Sequence, residues 1–225
     1  GDPAGGAAFN RARKALMAGD VTAAEADLCR SVLAAPTGPA AEALAEFYLG
    51  RRAVNLAKLS LEPALAADPE RRKARELMAD VRGYEGDADA ARALLLATLG
   101  LSADDKRVIA AVARKIAGEA EQAARGGDLP RAERLLRRSL LLTPEDAASS
   151  LALASVYSRS GLPSAAQAWA ERVLELSADH GGALLILGDL ARVRGDTDEA
   201  RKRYAQVKTG DPAHARAVEQ LQRLP

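Results

Sequence analysis

The chain reads as an all-α solenoid of antiparallel helix pairs, and three observations predict it. Gly127, Gly161 and Gly195 recur 34 residues apart, each just ahead of a helix-forming run. Ala132, Ala166 and Ala200 recur at the same interval, and Pro144 and Pro212 at twice it. A fixed period of this length is the signature of stacked units, none of which can bury its apolar face alone. Composition agrees: 48% of residues are apolar but only 3% aromatic, so the core must come from Ala, Leu and Val. Small side chains let helices approach closely, which suits thin helical layers and suits a β-sandwich poorly.

Six units fall in register, starting at Gly5, Gly38, Arg72, Ala113, Ala147 and Gly181. Their eighth positions are Ala12, Ala45, Ala79, Ala120, Ala154 and Gly188, small where two helices must cross. Their twentieth are Ala24, Ala57, Ala91, Ala132, Ala166 and Ala200, small for the same reason on the second helix. A Gly frees the turn within five of the six pairs, and Pro36, Pro69, Pro144 and Pro212 close four of the units because proline cannot continue a helix. The last unit strings together Leu184, Leu187-Gly188, Ala191, Gly195, Ala200, Tyr204 and Pro212. That succession resembles the tetratricopeptide repeat, W-x2-L-G-x2-Y, then A-x3-F, then P. The resemblance covers nearly the whole chain and implies a right-handed superhelix.

Taken in order, residues 1–105 hold the first three units. Asp20 and Asp87 are placed to cap second helices, as Asp128 and Asp196 are later, the last with Glu199 at its third position. Arg52 stands where the other units have the turn Gly, and Pro63 falls inside a second helix, where a kink is expected. Residues 106–112 are a seven-residue insertion, two helical turns, which lengthens a helix without rotating its faces. One long helix from Ala103 to Arg125 is expected, with Ser102 and Asp105 as its capping box. Residues 113–212 hold the second three units. Residues 213–225 form a C-terminal capping helix with Val218, Leu221 and Leu224 on one side and Arg216, Glu219 and Arg223 on the other. The large aromatic of the repeat's fourth position is absent, and Leu184 and Ile116 are its best substitutes.

Several function classes are disfavoured. Lys and Arg number 32 against 31 acidic residues, so no basic excess is available for nucleic acid. No apolar run reaches the roughly 18 residues of a membrane span. The single cysteine, Cys29, forms no intrachain disulfide and has no nearby His to activate it. His180 and His214 stand 34 residues apart on equivalent turns and read as repeat-derived turn residues rather than metal ligands. No phosphate loop or zinc motif is present, so neither an enzyme nor a cofactor is expected. Arg134, Arg137 and Arg138, and Arg201 to Arg203, read as solvated outer faces, and Trp169 as packed against a neighbouring unit. The opening Gly1-Asp2-Pro3 reads as a processed end, so a leader or lipid anchor would lie outside this sequence.

The resemblance implies that first helices line a concave groove through their second, fifth, ninth and twelfth positions. The fifth positions are Phe9, Glu42, Glu76, Ala117, Leu151 and Leu185; the ninth are Arg13, Glu46, Asp80, Glu121, Ser155 and Asp189. The middle of the groove therefore reads acidic through Glu42, Glu46, Glu76, Asp80 and Glu121, and its far end aliphatic, rimmed by Arg159 and Arg192. The Lys and Asn that related units use to clamp the acidic tails of heat-shock chaperones are missing. A basic or amphipathic segment of another protein is the expected partner, held by charge complementarity and apolar anchors. The implied role is a non-enzymatic scaffold or adaptor. The Ala, Arg and Leu richness has a bacterial character, and assembly of envelope machinery (a pilus, a secretion channel or a polysaccharide exporter) is the preferred setting, periplasmic or lipid-anchored rather than cytoplasmic. The alternatives are a regulatory sensor fused to an output domain and a self-assembling homo-oligomeric solenoid.

Overall fold

A computed structural model of the chain describes residues 3–224, with side chains from residue 5 onward; Gly1, Asp2 and Pro225 of the sequence's two ends lie outside the described residues. Among these there are thirteen helices and no strand. The chain divides into two compact units, one ending at Val108 and the other beginning at Ile109.

The first unit holds three helix pairs: α1 (Pro3–Ala18) with α2 (Val21–Ala34), α3 (Pro39–Leu49) with α4 (Val54–Ala67), and α5 (Arg72–Tyr84) with α6 (Ala88–Leu99). Every small residue expected at a crossing is buried here: Ala12, Ala24, Ala45, Ala57, Ala79 and Ala91 have no exposed surface. Leu28, Leu44, Leu61 and Leu77 fill the space between pairs, each worth about 1.5–3 kcal/mol of burial. Phe47 meets Tyr48 edge-on, ring centroids 5.7 Å apart.

The second unit repeats the plan with α7 (Lys106–Arg125), α8 (Leu129–Leu142), α9 (Ala147–Arg159), α10 (Pro163–Leu176), α11 (Gly181–Val193), α12 (Thr197–Ala205) and α13 (His214–Arg223). Ala120, Ala132, Ala154, Ala166 and Ala200 are fully buried. At the last crossing Gly188 is needed for a different reason. A Cβ there would lie 2.4 Å from Cε1 of Tyr204, the one large side chain among residues that are otherwise Leu or Ala.

The turns inside the pairs are one device used six times. Position fifteen of each unit has positive φ: Gly19, Gly86, Gly127, Gly161 and Gly195 lie between 70° and 88°, and Arg52 at 59°. The N–H of the next residue returns to the carbonyl five residues back, from Asp20 to Ala15 through to Asp196 to Ala191, at 2.9–3.0 Å. Asp20, Asp87, Asp128 and Asp196 then accept the N–H three residues on, at 3.0–3.1 Å, and start the second helices.

α4 is continuous through Pro63, which lies on its exposed side. Three expectations need correction. α7 begins at Lys106, not Ala103: Ser102 and Asp105 make capping-box bonds, Asp105 accepting from the Ser102 N–H and Ser102 Oγ from the Asp104 N–H, both at 3.3 Å, but over a separate turn ahead of the helix. On α13 the buried face is Ala217, Leu221 and Leu224, while Val218 is 37% exposed. Arg138 is no solvated residue but 8% exposed.

Candidate functional site

In the first unit the projected groove residues lie along α1, α3 and α5. Phe9 is half-buried against the core, and Arg13 is exposed. The acids of α3 and α5 do not stand as free charge. Glu42 is bound by Arg71, which also donates to the Thr37 carbonyl, and Glu46 by Lys73 at 2.7 Å. Glu76 receives Arg72 at 3.1 Å, one turn away on the same helix. Asp80 is buried, 5% exposed. The acidic strip expected from sequence is therefore a ladder of internal ion pairs, because Arg71 and Lys73 at the start of α5 reach the acids of α3 while Arg72 pairs with Glu76 on α5 itself. Partly exposed pairs of this kind add about 0–1 kcal/mol each.

In the second unit, three of the projected residues come together. Glu121, Ser155 and Arg159, with Arg125, rim a cleft of about 250 Å³ between α7 and α9, floored by Ala120, Ala124, Leu136, Ala152 and Val156. Arg125 pairs with Glu121 at 3.3 Å, and Arg159 donates to the Ala124 carbonyl at the end of α7 at 2.9 Å. That bond uses one end of the guanidinium and places a cation over the negative pole of α7. Small side chains keep the floor apolar and open, and the rim supplies charge.

The projected aliphatic end is differently employed. Leu185 is 7% exposed, packed in a core with Ala217 of α13, so it is a structural residue and not groove lining. Asp189 accepts from Tyr204 Oη at 2.8 Å and from Arg216 of α13 at 3.2 Å. Leu151 is half-buried against α11, its Cδ2 lying 3.0 Å from where a Cβ on Gly182 would be. Arg192 is exposed and shares the Tyr204 hydroxyl. Burial, reinforced by Asp189, pushes Tyr204 up to about 12.

Sequence reasoning missed a paired polar contact that ties second helices to the next first helix. Tyr48 donates to Glu25 at 3.1 Å with Cys29 Sγ 3.8 Å away, and Tyr157 donates to Glu133 at 2.9 Å. Burial raises the phenol of both tyrosines. In sequence the signal was present: tyrosine at position eleven coincides with Glu at position 21 of the unit before. Asp27 is held below the usual carboxylate range by the Arg11 guanidinium.

The two histidines have separate employments: His214 Nδ1 lies 3.0 Å from the Val207 carbonyl, and His180 precedes α11. Among the described residues no three His, Cys, Asp or Glu side chains are placed to hold a metal ion. No described helix is long and apolar enough to cross a membrane. Trp169 is half-buried between neighbouring pairs.

Six in-register helix pairs, with a glycine-type turn inside each and a buried small residue at every crossing, have the fold of tetratricopeptide-type repeats. No protein-family model matches the chain, and no curated protein matches it. Among solved structures it is similar to a tetratricopeptide repeat protein from Parabacteroides merdae, at 15% identity over 98% of both chains, with a TM-score of 0.45. It is similar also to PilW, described as a widely conserved type IV pilus biogenesis factor, at 18% identity over 99% of both chains and a TM-score of 0.46. Pseudomonas aeruginosa pilF is a further neighbour, at 18% identity over 98% of this chain and 97% of that one, with a TM-score of 0.44.

Proposed function

We propose that the chain is a non-enzymatic scaffold that holds an amphipathic segment of another protein in the α7/α9 cleft. The observation that supports it is the cleft's composition: an open floor of alanines and Val156 beside four polar or charged rim side chains. An apolar face of the segment would fill the floor, and the rim would set its register. The preference for a basic segment loses its support, since Glu42, Glu46 and Glu76 already have cationic partners. Assembly of bacterial envelope machinery is the setting we propose, on the composition of the chain.

The test is selection from a random peptide library on the purified chain and on Ser155→Trp, an exposed position whose enlarged side chain would fill the cleft. Amphipathic peptides enriched by the wild type and lost with the variant are the expected result. Equal enrichment by both proteins would refute the cleft as the site.

A further inference from the structure

The turn end of the first two helix pairs carries exposed aliphatic side chains beside cations. Met17 is 90% exposed, and Leu16, Val21 and Leu56 are each 45% exposed. Arg13 and Lys14 precede them near the end of α1, and Arg51 and Arg52 form the turn between α3 and α4. The two turns are neighbours, because Tyr48 near the end of α3 bonds to Glu25 near the start of α2. Arg51 is held in place, stacked 3.7 Å over the Phe47 ring while donating to the Phe47 carbonyl.

The acids nearby are already occupied. Asp20 caps α2 through the Ala23 N–H at 3.0 Å, Glu25 accepts from Tyr48, and Glu46 pairs with Lys73. Among the described residues no carboxylate pairs with Arg13 or Lys14. Those three carboxylates keep their charge while bonded, but Arg13, Lys14, Arg51, Arg52 and Lys73 outnumber them, so the edge is net positive, and among the described residues Met17, Leu16, Val21 and Leu56 stand out there beside cations. Apolar side chains scattered singly over a surface need no explanation, but a group rimmed by polar residues marks an interaction site.

We propose that this edge docks onto an anionic lipid surface. Exposed aliphatic side chains beside cations match the layering of such a surface, apolar beneath an anionic plane. Met17, Leu16, Val21 and Leu56 would enter the boundary between headgroups and acyl chains. Arg13, Lys14 and Arg51 would lie at the level of the phosphates, their stems along the apolar part. Each cation at such a surface strengthens binding about fivefold, and the effect fades within a Debye length. This inference stands apart from the cleft reading, since it uses different residues in the other unit.

The experiment is co-sedimentation of the full chain with vesicles of phosphatidylcholine alone and with about one third phosphatidylglycerol, at roughly 0.05 and roughly 0.5 M salt. Binding to the anionic vesicles alone, weakened by salt, is expected. Arg13→Glu with Lys14→Glu should lower the partition coefficient more than tenfold, and Met17→Ser by about tenfold. Both sites are exposed, so unchanged helicity by circular dichroism shows that the variants fold. Wild-type chain left in the supernatant with anionic vesicles at low salt overturns the proposal. So does a Met17→Ser variant that binds as well as wild type while polyglutamate displaces both, since an acidic protein would then be the partner.

Discussion

Replacing Arg52 by glycine should stabilise the first unit. Arg52 has φ of 59°, at the turn position where the five equivalent residues are glycines with φ between 70° and 88°. A left-handed residue with a Cβ costs about 1–2 kcal/mol. Glycine gives back about 0.5–1 kcal/mol through the greater freedom of its unfolded chain. The balance is a gain of about 0.5–1 kcal/mol for Arg52→Gly. With a urea slope of about 2 kcal/mol/M, the unfolding midpoint should rise by about 0.25–0.5 M. The turn bonds from Arg52 and Ala53 to Leu49 and Tyr48, both 3.0 Å, involve backbone only and survive the change. The Arg52 side chain has an interaction of its own, so Arg52→Ala is the control. Alanine removes that interaction but keeps the Cβ, and glycine should exceed it by about 1 kcal/mol. If glycine and alanine give the same midpoint, the turn conformation carries no strain at Arg52 and the reasoning fails.

Two further outcomes follow from the last helix pair. Gly188→Ala should destabilise the second unit by about 1–3 kcal/mol, because the new Cβ meets the Tyr204 ring; pairing it with Tyr204→Leu, the combination of sizes used in four of the other units, should recover part of that loss in a double-mutant cycle, and strict additivity would refute the clash. In alkali, Tyr204 acts through its raised phenol: a group raised in the folded state stabilises fully below its unfolded value near 10 and loses that contribution as pH climbs through about 12. Unfolding midpoints followed across that window should fall for wild type and fall less for Tyr204→Phe; equal slopes would show that the phenol is not shielded.

The fold was legible because its determinants are local and periodic. A small residue at positions eight and twenty, a glycine before five of the six second helices and an aspartate cap on four of them are each visible as one letter at one spacing, and each is used as expected. What was misread depends on contacts between positions that the period does not link. Ser102 and Asp105 have the letters and spacing of a capping box, yet they close a turn ahead of the helix, because nothing in the letters distinguishes the two uses. Glu42 and Glu46 read as an acidic face because position was known and neighbour was not: Arg71 lies just before α5, outside the positions taken to line the groove, and Lys73 stands at the second position of its unit, where only the fifth and ninth were read for charge. Charge read along one helix therefore overstates the field of a repeat array wherever the next helix opens with the opposite sign.

The position of the open cleft follows from how the array ends. A helix pair exposes its inner-face apolar residues unless another first helix covers them, so the last pair needs a cover that presents polar groups outward. α13 supplies it: Ala217 joins the Leu185 core, Arg216 reaches Asp189, and Glu219 with Arg223 stays outside as an ion pair of 2.6 Å. Leu185 and Asp189 are thereby committed to closing the array, and substitutions there act on stability before they act on binding. The residues equivalent to Asp189 one and two pairs earlier, Ser155 and Glu121, make no such closing contact and are exposed at the rim. Recognition by the second unit is thus expected to concentrate on α7 and α9, away from its closed end.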